Sequence, residues 1–488
     1  MTGEILINVA PREVRAAVVE NGVLQEVLIE RASRRGLIGN IYKGRVSRVL
    51  PGMQAAFVDA GLERTAFLHA SNIAHKPHEE APDREAELDI AECVHVGSEL
   101  LVQVLKEPLG TKGARLTTHT TIPSRLLVMT PNGNGVGVSA RIADDVERER
   151  LRASVERIAP PDSTAGYIVR TAALGASEDA LRAEMMFLQE LWDSIEATAG
   201  RAKAGDPVYE DLPLPVRVLR DLVRPDAEVV HVDSEQVYAR MREYAERFVP
   251  WLAPRIELYT RVSPIFDLYS VEDEIERALR RKVPLKSGGH VIFDQTEAMT
   301  TIDVNTGSYV GHRNLEETVF RTNLEAALVI ARQLRLRNLG GIIIIDFIDM
   351  EIEEHRNEVL EALSARLADD LAKNHIMNVS PLGLVEMTRE RNRESLGHVL
   401  CRACPSCDGR GYVKTPETVC YEVFREIMRQ HRQFEARELL VLARPEIIER
   451  LLDEESASVV ELEELTATPI RLQSEGMYAP DQFDVVVM

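Results

Sequence analysis

The chain has 488 residues, 45% hydrophobic and 28% charged, with a formal net charge of −21 at pH 7. That length exceeds what one hydrophobic core supports and implies three or more structural units. The longest purely aliphatic stretch is Ile342–Ile345, far short of the ~20 apolar residues of a membrane span. The acidic balance argues against a non-specific nucleic-acid coat protein. It leaves room for RNA processing, because screening over roughly 8 Å lets local patches decide what binds.

The bases are segregated: Arg31, Arg34, Arg35, Lys43, Arg45 and Arg48 fall together, while acids concentrate at Glu79–Glu92 and Asp453–Glu464. Met1–Val9 has neither a cationic start nor a long apolar core, so no signal peptide is expected. Five cysteines, too few and too clustered for a disulfide scaffold, point to a reducing cytoplasm.

In chain order, Ile5–Val9, Val14–Glu20 and Val23–Glu30 read as strands, with Asn21-Gly22 as a tight hairpin turn, so the chain opens as an antiparallel meander. From Gly36 to about Thr118, short glycine-punctuated strands (Gly39–Val46, Ala55–Gly61, Thr65–His69, Leu100–Lys106) predict a small barrel interrupted by an acidic surface loop at His75–Glu92. Arg125–Thr130 and Tyr167–Thr171 continue as strands around the glycine-rich Asn132–Gly137. Ser177 caps a helix running towards Ala199, with Glu178 and Asp179 in its first turn. Pro207–Pro215 reads as a connector and 216–282 as mostly helical. From Gly288 onward strands and helices alternate as in an α/β unit, and a mixed tail follows Gly411.

The sharpest chemistry lies between His290 and Met350. In Thr301-Ile302-Asp303-Val304-Asn305, side chains two apart share a face, so Asp303 and Asn305 point together while Ile302 and Val304 bury. Asn314 and Glu317 form a capping box for a helix from Leu315 to about Arg337, which Gly340-Gly341 end. The aliphatic run Ile342–Ile345 then delivers Asp346. A right-handed parallel crossover places both acids at strand C-termini, where α/β sheets bind ligands. Two converging carboxylates and an amide suit Mg²⁺, which takes few protein ligands, and such an ion can activate water against a phosphodiester. Taken singly, each Asp has a simpler role in ending a strand, and Asp349 and Glu297 are neighbouring candidates.

In the barrel segment, Phe57 and Phe67 are interleaved with Lys43, Lys106, Lys112 and Arg115, a pattern that stacks bases and follows phosphates. The competing expectation is that both phenylalanines are barrel core. Arg170 and Thr171, following Tyr167-Ile168-Val169, pair a guanidinium with a hydroxyl that can grip a terminal phosphate. Cys401-Arg-Ala-Cys404-Pro-Ser-Cys407-Asp-Gly-Arg-Gly411 is a metal knuckle. Zinc wants four ligands, so either Cys401 and His398 complete the site, or two chains each contribute Cys404 and Cys407.

These residues resemble the ribonuclease E/G family. The likeness rests on Gly39-Asn-Ile-Tyr-Lys-Gly-Arg-Val46, Pro108-Leu-Gly-Thr-Lys-Gly113, Thr301-Ile-Asp-Val-Asn-Thr-Gly307, Arg332-Gln-Leu-Arg-Leu-Arg-Asn-Leu-Gly-Gly341, Ile345-Asp-Phe-Ile-Asp-Met350 and Cys404-Pro-Ser-Cys407. With no long Arg- and Pro-rich C-terminal extension in view, the G branch of that family is expected over the E branch.

The resemblance implies a multidomain α/β architecture. A ribonuclease-H-like subdomain is split between 1–35 and 215–278 around an OB-fold RNA-binding domain at 36–118 and a 5′-sensor at 119–214. A DNase-I-like catalytic subdomain (279–400), a zinc link (401–415) and a small dimerisation domain (416–488) follow. It further implies Asp303 and Asp346 as the Mg²⁺-binding catalytic pair with Asn305 beside them. Phe57, Phe67, Lys106 and Lys112 then lie on the RNA-binding barrel, Cys404 and Cys407 are intersubunit zinc ligands, and Arg170, Thr171 and Val128 sense the 5′ phosphate. Where relatives carry an Arg and a Gly near that phosphate pocket, this sequence has Lys373 and Ser124, and lysine lacks bidentate geometry.

Two functions follow. One is a cytoplasmic Mg²⁺-dependent endoribonuclease, a homodimer or higher even oligomer. It would cut single-stranded A/U-rich RNA, stimulated by a 5′ monophosphate, in ribosomal RNA 5′-end maturation and mRNA turnover. The other is a non-catalytic RNA-binding or assembly factor using the OB domain. The 303/305/346 triplet favours the enzyme, since a pure binder has no chemical use for it.

Overall fold

The computed structural model describes residues 3–33, 36–74, 89–108, 112–160, 164–223, 227–307, 315–368, 370–391, 393–435 and 437–488. Arg34, Arg35, most of the acidic stretch 75–92 and the expected cap Asn314 lie outside them. The chain divides into two units, Met1–Val399 and Leu400–Met488.

In the first unit, Gly3–Ala10, Glu13–Glu20 and Val23–Arg31 form the expected meander. Asn21 and Gly22 both take positive φ, 50° and 74°, as a two-residue turn between twisted strands demands. Gly3–Ala10 also pairs in parallel with Ala227–Val232, which in turn pairs in parallel with Ile256–Leu258, giving one five-stranded sheet. The region 216–282 is therefore not mostly helical. It alternates the helices Leu214–Asp221, Glu235–Phe248, Ile265–Leu268 and Val271–Leu279 with those two strands. The β-branched run Val229-Val230-His231-Val232 is short and flanked by helices, so its strand character comes from a partner more than 200 residues upstream.

Strands Ile41–Leu50, Ala55–Asp59, Ala66–His69, Arg115–Thr117 and Glu99–Lys106 follow one another around a small barrel, which the pairing of Ile41–Leu50 with Glu99–Lys106 closes. The proposed connector at 207–215 instead contributes a strand, Pro207–Tyr209, to this sheet, and a helix begins at Leu214. A four-stranded sheet (Val136–Val138, Gly166–Val169, Leu127–Thr130, Ile122–Pro123) packs under helices Asp145–Ile158 and Glu178–Arg201. The shorter helix went unread because its charged sequence buries only Leu151, Ser154 and Val155. Ser177 caps the longer one, accepting from the Ala180 N–H.

The last sheet of this unit has six strands in the order Lys282–Pro284, His290–Gln295, Met299–Asn305, Gly341–Asp346, Leu384–Arg389, Asn374–Val379. Met299–Asn305 and Gly341–Asp346 are parallel, joined by helix Leu315–Leu336, and their neighbours are antiparallel. Val291, Phe293, Ile302, Val304, Ile343, Ile345, Val385 and Met387 are buried with that helix and Glu353–Leu367 in one core. The period-two alternation leaves Thr301, Asp303, Asp346 and Glu386 exposed on the other face.

The second unit packs helix Pro416–Gln433, capped by Thr415, with helices Pro445–Leu452 and Ser456–Thr466 on a three-stranded sheet. Leu439–Ala443 is its central strand, parallel to Ile470–Ser474 and antiparallel to Phe483–Val487. Among the described residues, no helix is long and apolar enough to cross a membrane.

Candidate active site and RNA interface

Asp303 and Asp346 are direct register partners at the C-terminal ends of the two parallel strands. Asn305, two residues on and on the same face, donates from Nδ2 to Asp303 Oδ2 at 2.8 Å. Burial, then the charges of Asp303 and Asp349, raise the Asp346 carboxyl above the ordinary carboxylate range. The paired carboxylates of Asp303 and Asp346 thus face one another at the strand ends, with the charge of Asp349 felt there, an arrangement a hard divalent cation relieves. Glu297 is not part of it, since it sits in the turn before Met299, at the opposite end of the strand.

Glycines make the floor of this site. A Cβ on Gly289 would lie 2.6 Å from the Asn305 carbonyl oxygen, and one on Gly307, whose φ is +61°, 2.6 Å from that of Gly288. The strand end carrying Asn305 therefore lies directly against the 285–289 turn.

On the barrel, Phe57 and Phe67 are half-buried register partners whose rings meet edge to face at 6.1 Å. Their neighbours Ala56, Val58, Ala66 and Leu68 fill the interior, so the phenylalanines are not core. Register pairing extends the row in both directions, as Arg48–Phe57–Phe67–Arg115–Lys106. His69 adds a third ring 6.5 Å from Phe67. Lys112 is exposed next to Gly113, where any Cβ would collide with the Thr65 carbonyl. Lys106 is part-exposed, 3.9 Å from Glu390. Lys43 turns away from this row, donating to the Ala199 carbonyl at 3.3 Å and lying 3.6 Å from Glu99. Two more of the segregated bases are likewise engaged, Arg45 by Glu99 and Arg31 by Glu13 and the Val399 carbonyl. Arg48 and His69 were not candidates from sequence, because only the folded strands bring them beside the phenylalanines.

Arg170, Thr171, Val128 and Ser124 gather on the four-stranded sheet. Val128 pairs with Ile168, and the Arg170 N–H donates to the Leu126 carbonyl. The Arg170 guanidinium donates to the Ser124 carbonyl at 2.6 Å and to Asp221 Oδ1 at 2.9 Å. Burial pushes the Asp221 carboxyl up, but Arg220 and Arg170 outweigh it and hold it below the ordinary range. The Ser124 hydroxyl is buried against Glu184, whose carboxyl burial raises. Lys373 is exposed, and its neighbouring carbonyls at Asp370 and Leu371 accept from Arg141, a residue the sequence reading passed over.

In the second unit Cys407 is buried and Cys404 exposed. Hydrogen bonds from the Ser406 and Cys407 backbone, followed by the Cys407 side chain, lower the Cys404 thiol. The Gly411 N–H donates to Cys407 Sγ at 3.3 Å. This is the turn geometry that favours paired thiolates. Cys401 is exposed, while His398 Nδ1 lies 2.7 Å from Ser395 Oγ. Among the described residues, no three His, Cys, Asp or Glu side chains come together as a complete metal site.

Comparison with known proteins matches residues 121–392 to the ribonuclease E/G family, 38–119 to the S1 RNA binding domain and 403–487 to the RNase E/G thioredoxin-like domain. Ribonuclease G of Escherichia coli is 52% identical over 493 residues, spanning 100% of both chains. The chain belongs to the ribonuclease E/G family. Ribonuclease G of Haemophilus influenzae is 51% identical over 99% of each chain. Ribonuclease E of Escherichia coli is 36% identical over 94% of this chain and 43% of its own length. As a ribonuclease E/G family member so close to ribonuclease G along its whole length, the protein is an endoribonuclease with RNA as its partner. Its barrel is an S1-type OB fold, and its C-terminal unit corresponds to the family's thioredoxin-like domain.

Proposed function

We propose that the protein is a Mg²⁺-dependent hydrolase of phosphodiester bonds in single-stranded, A/U-rich RNA, working in the cytoplasm in ribosomal RNA 5′-end maturation and mRNA turnover. The observation that carries this reading is the register pairing of Asp303 with Asp346, with Asn305 turned onto Asp303. Asp303 and Asp346 would hold the ion. Bound there, Mg²⁺ supplies positive charge to a scissile phosphate and acidifies a bound water. Asn305 uses its Nδ2 to orient Asp303, which leaves Oδ1 free to face the ion. Among the described residues the acids lie on an exposed sheet face, which an extended strand can approach.

The row Arg48–Phe57–Phe67–Arg115–Lys106, with Lys112 beside it, would stack bases and follow the backbone, a combination that suits single strands. Arg170, Thr171 and Val128 would receive a 5′ monophosphate, the phosphate competing with Asp221 for the guanidinium. Cys404 and Cys407 fit half of a zinc site, which two chains would complete as a dimer, with the C-terminal unit as a further interface. The five-stranded sheet built from both ends of an insertion supports a ribonuclease-H-like subdomain at 1–35 and 215–278. Around it we assign the OB domain to 36–118, the sensor to 119–214, the DNase-I-like nuclease to 279–400, the zinc link to 401–415 and the small domain to 416–488.

The test is Mg²⁺-dependent cleavage of labelled A/U-rich RNA by native protein, Asp303→Asn and Asp346→Asn, on matched 5′-monophosphate and 5′-hydroxyl substrates. Variants that bind RNA without cutting it support the assignment. Variants that cut as well as native protein overturn it.

A further inference from the structure

Strand Gly341–Asp346 ends at the acid it delivers, so sheet hydrogen bonds stop where Asp346 must be held. The segment beyond it, which carries Asp349, is gripped instead by one stripe of helix Leu315–Leu336. Glu316, Phe320 and Asn323 are spaced i, i+4, i+7 and so share a helix face. Asn323 is fully buried. Its Nδ2 donates to the Ile348 carbonyl at 2.7 Å, and its Oδ1 accepts from the Ile348 N–H at 3.1 Å. Those two groups belong to successive peptide planes, so one side chain fixes the rotation of two of the three planes between Asp346 and Asp349.

Two turns earlier, Glu316 accepts from the N–H groups of Glu351 and Ile352 at 3.4 and 3.3 Å. Its Oε1 also lies 3.0 Å from His355 Nδ1, and the His355 ring stacks on Phe320 at 4.1 Å. Further along the same helix, Glu325 accepts from the N–H groups of Lys286 and Ser287 and so holds the turn against which Asn305 packs. The helix thus supports both strand ends, and Asn323 is its contact nearest to an acid.

We propose that Asn323 is a positioning residue for cleavage, setting the direction in which Asp346 leaves the sheet and hence its aim toward Asp303; this rests on the catalytic reading of those two acids. A buried amide that satisfies both backbone groups of one residue substitutes for the sheet pairing that has ended. Removing it leaves two part-buried backbone groups without that partner, which must rotate to find others. Rotation at Ile348 re-aims the acids on either side of it, whereas loss of ordinary packing would leave their mutual geometry unchanged.

The experiment compares native protein, Asn323→Leu, Glu316→Ala and Asp346→Asn. Divalent-ion affinity is read from the paramagnetic resonance of free Mn²⁺, RNA affinity by anisotropy without metal, and kcat and KM by cleavage in Mg²⁺. For Asn323→Leu we expect a Mn²⁺ dissociation constant raised about tenfold, a kcat lowered tenfold or more and an RNA affinity within twofold of native, with Glu316→Ala showing a smaller loss in the same direction. If Asn323→Leu does not fold, Glu316→Ala decides. Mn²⁺ affinity and kcat within twofold of native in the folded variants, with only the melting temperature lowered, overturns the inference. Asp346→Asn separates the two levels, because normal cleavage by that variant defeats the catalytic reading itself.

Discussion

Neutralising one of the paired acids should stabilise the metal-free protein while abolishing its activity. Asp346 titrates above the ordinary carboxylate range because of burial and the charges of Asp303 and Asp349. A carboxyl raised by folding makes the folded state less stable above its unfolded pKa, and that cost is relieved as pH falls through the raised value. In Asp303→Asn the new side chain still accepts from Asn305, so only the charge is lost. Parallel strands lie ~4.8 Å apart, and two charges at about 5 Å repel by roughly 0.8 kcal/mol at the dielectric of water and about 3 kcal/mol at an effective value of 20. Both carboxylates are exposed, so the lower end applies, at about 1 kcal/mol. Calorimetric unfolding at neutral pH in EDTA should show Asp303→Asn as the more stable protein. Added Mg²⁺ should reverse the order, because only the native site gains binding energy on folding. A variant less stable than native in EDTA, or equal stabilisation of both by Mg²⁺, refutes the reasoning.

Asp349→Asn removes one of the charges raising Asp346, so the acid limb of the cleavage profile should move to lower pH, read from kcat/KM against pH. Phe57→Ala and Phe67→Ala should each weaken single-stranded RNA binding by ~1–3 kcal/mol in anisotropy titrations while the barrel stays folded, since neither ring is core. Arg220 is buried and holds Asp211 through bonds of 2.7 and 3.0 Å as well as Asp221. Arg220→Met takes the shared guanidinium from both acids and should cost about 3–5 kcal/mol in urea unfolding. Chelation verified by metal analysis should remove zinc and dissociate the oligomer in sedimentation, and Cys404→Ser should reproduce the effect without chelator.

The strand pair that carries Asp303 and Asp346 was legible because its signals are local. Each run of buried alternation carries its acid at or near its C-terminal end, with a helix between them. That helix stops at Leu336, with Asn338 at φ 48°, and the Gly340-Gly341 pair expected to end it leads instead into the second strand. The hairpin at Asn21-Gly22 and the barrel strands were readable for the same reason. Strand Ala227–Val232 was not, because its partner is remote. Nor was Asn323, since a polar residue inside a helix shows nothing of the loop it holds until the helix is docked. Lys43 carried the right charge for RNA, but its direction is set by the Glu178–Arg201 helix, whose Ala199 carbonyl it meets. Glu297 is close to Asp303 in the chain, and the length of one strand separates them.

The five-stranded sheet has a consequence for synthesis. Asn8 donates to Asp233 at 2.7 Å across a sequence separation of 225. At translation rates of 5–20 residues per second, the opening meander waits roughly 10–45 s for its parallel neighbour to leave the ribosome. Until then its first strand presents an open edge, a place for chaperones to bind and for nascent chains to misjoin.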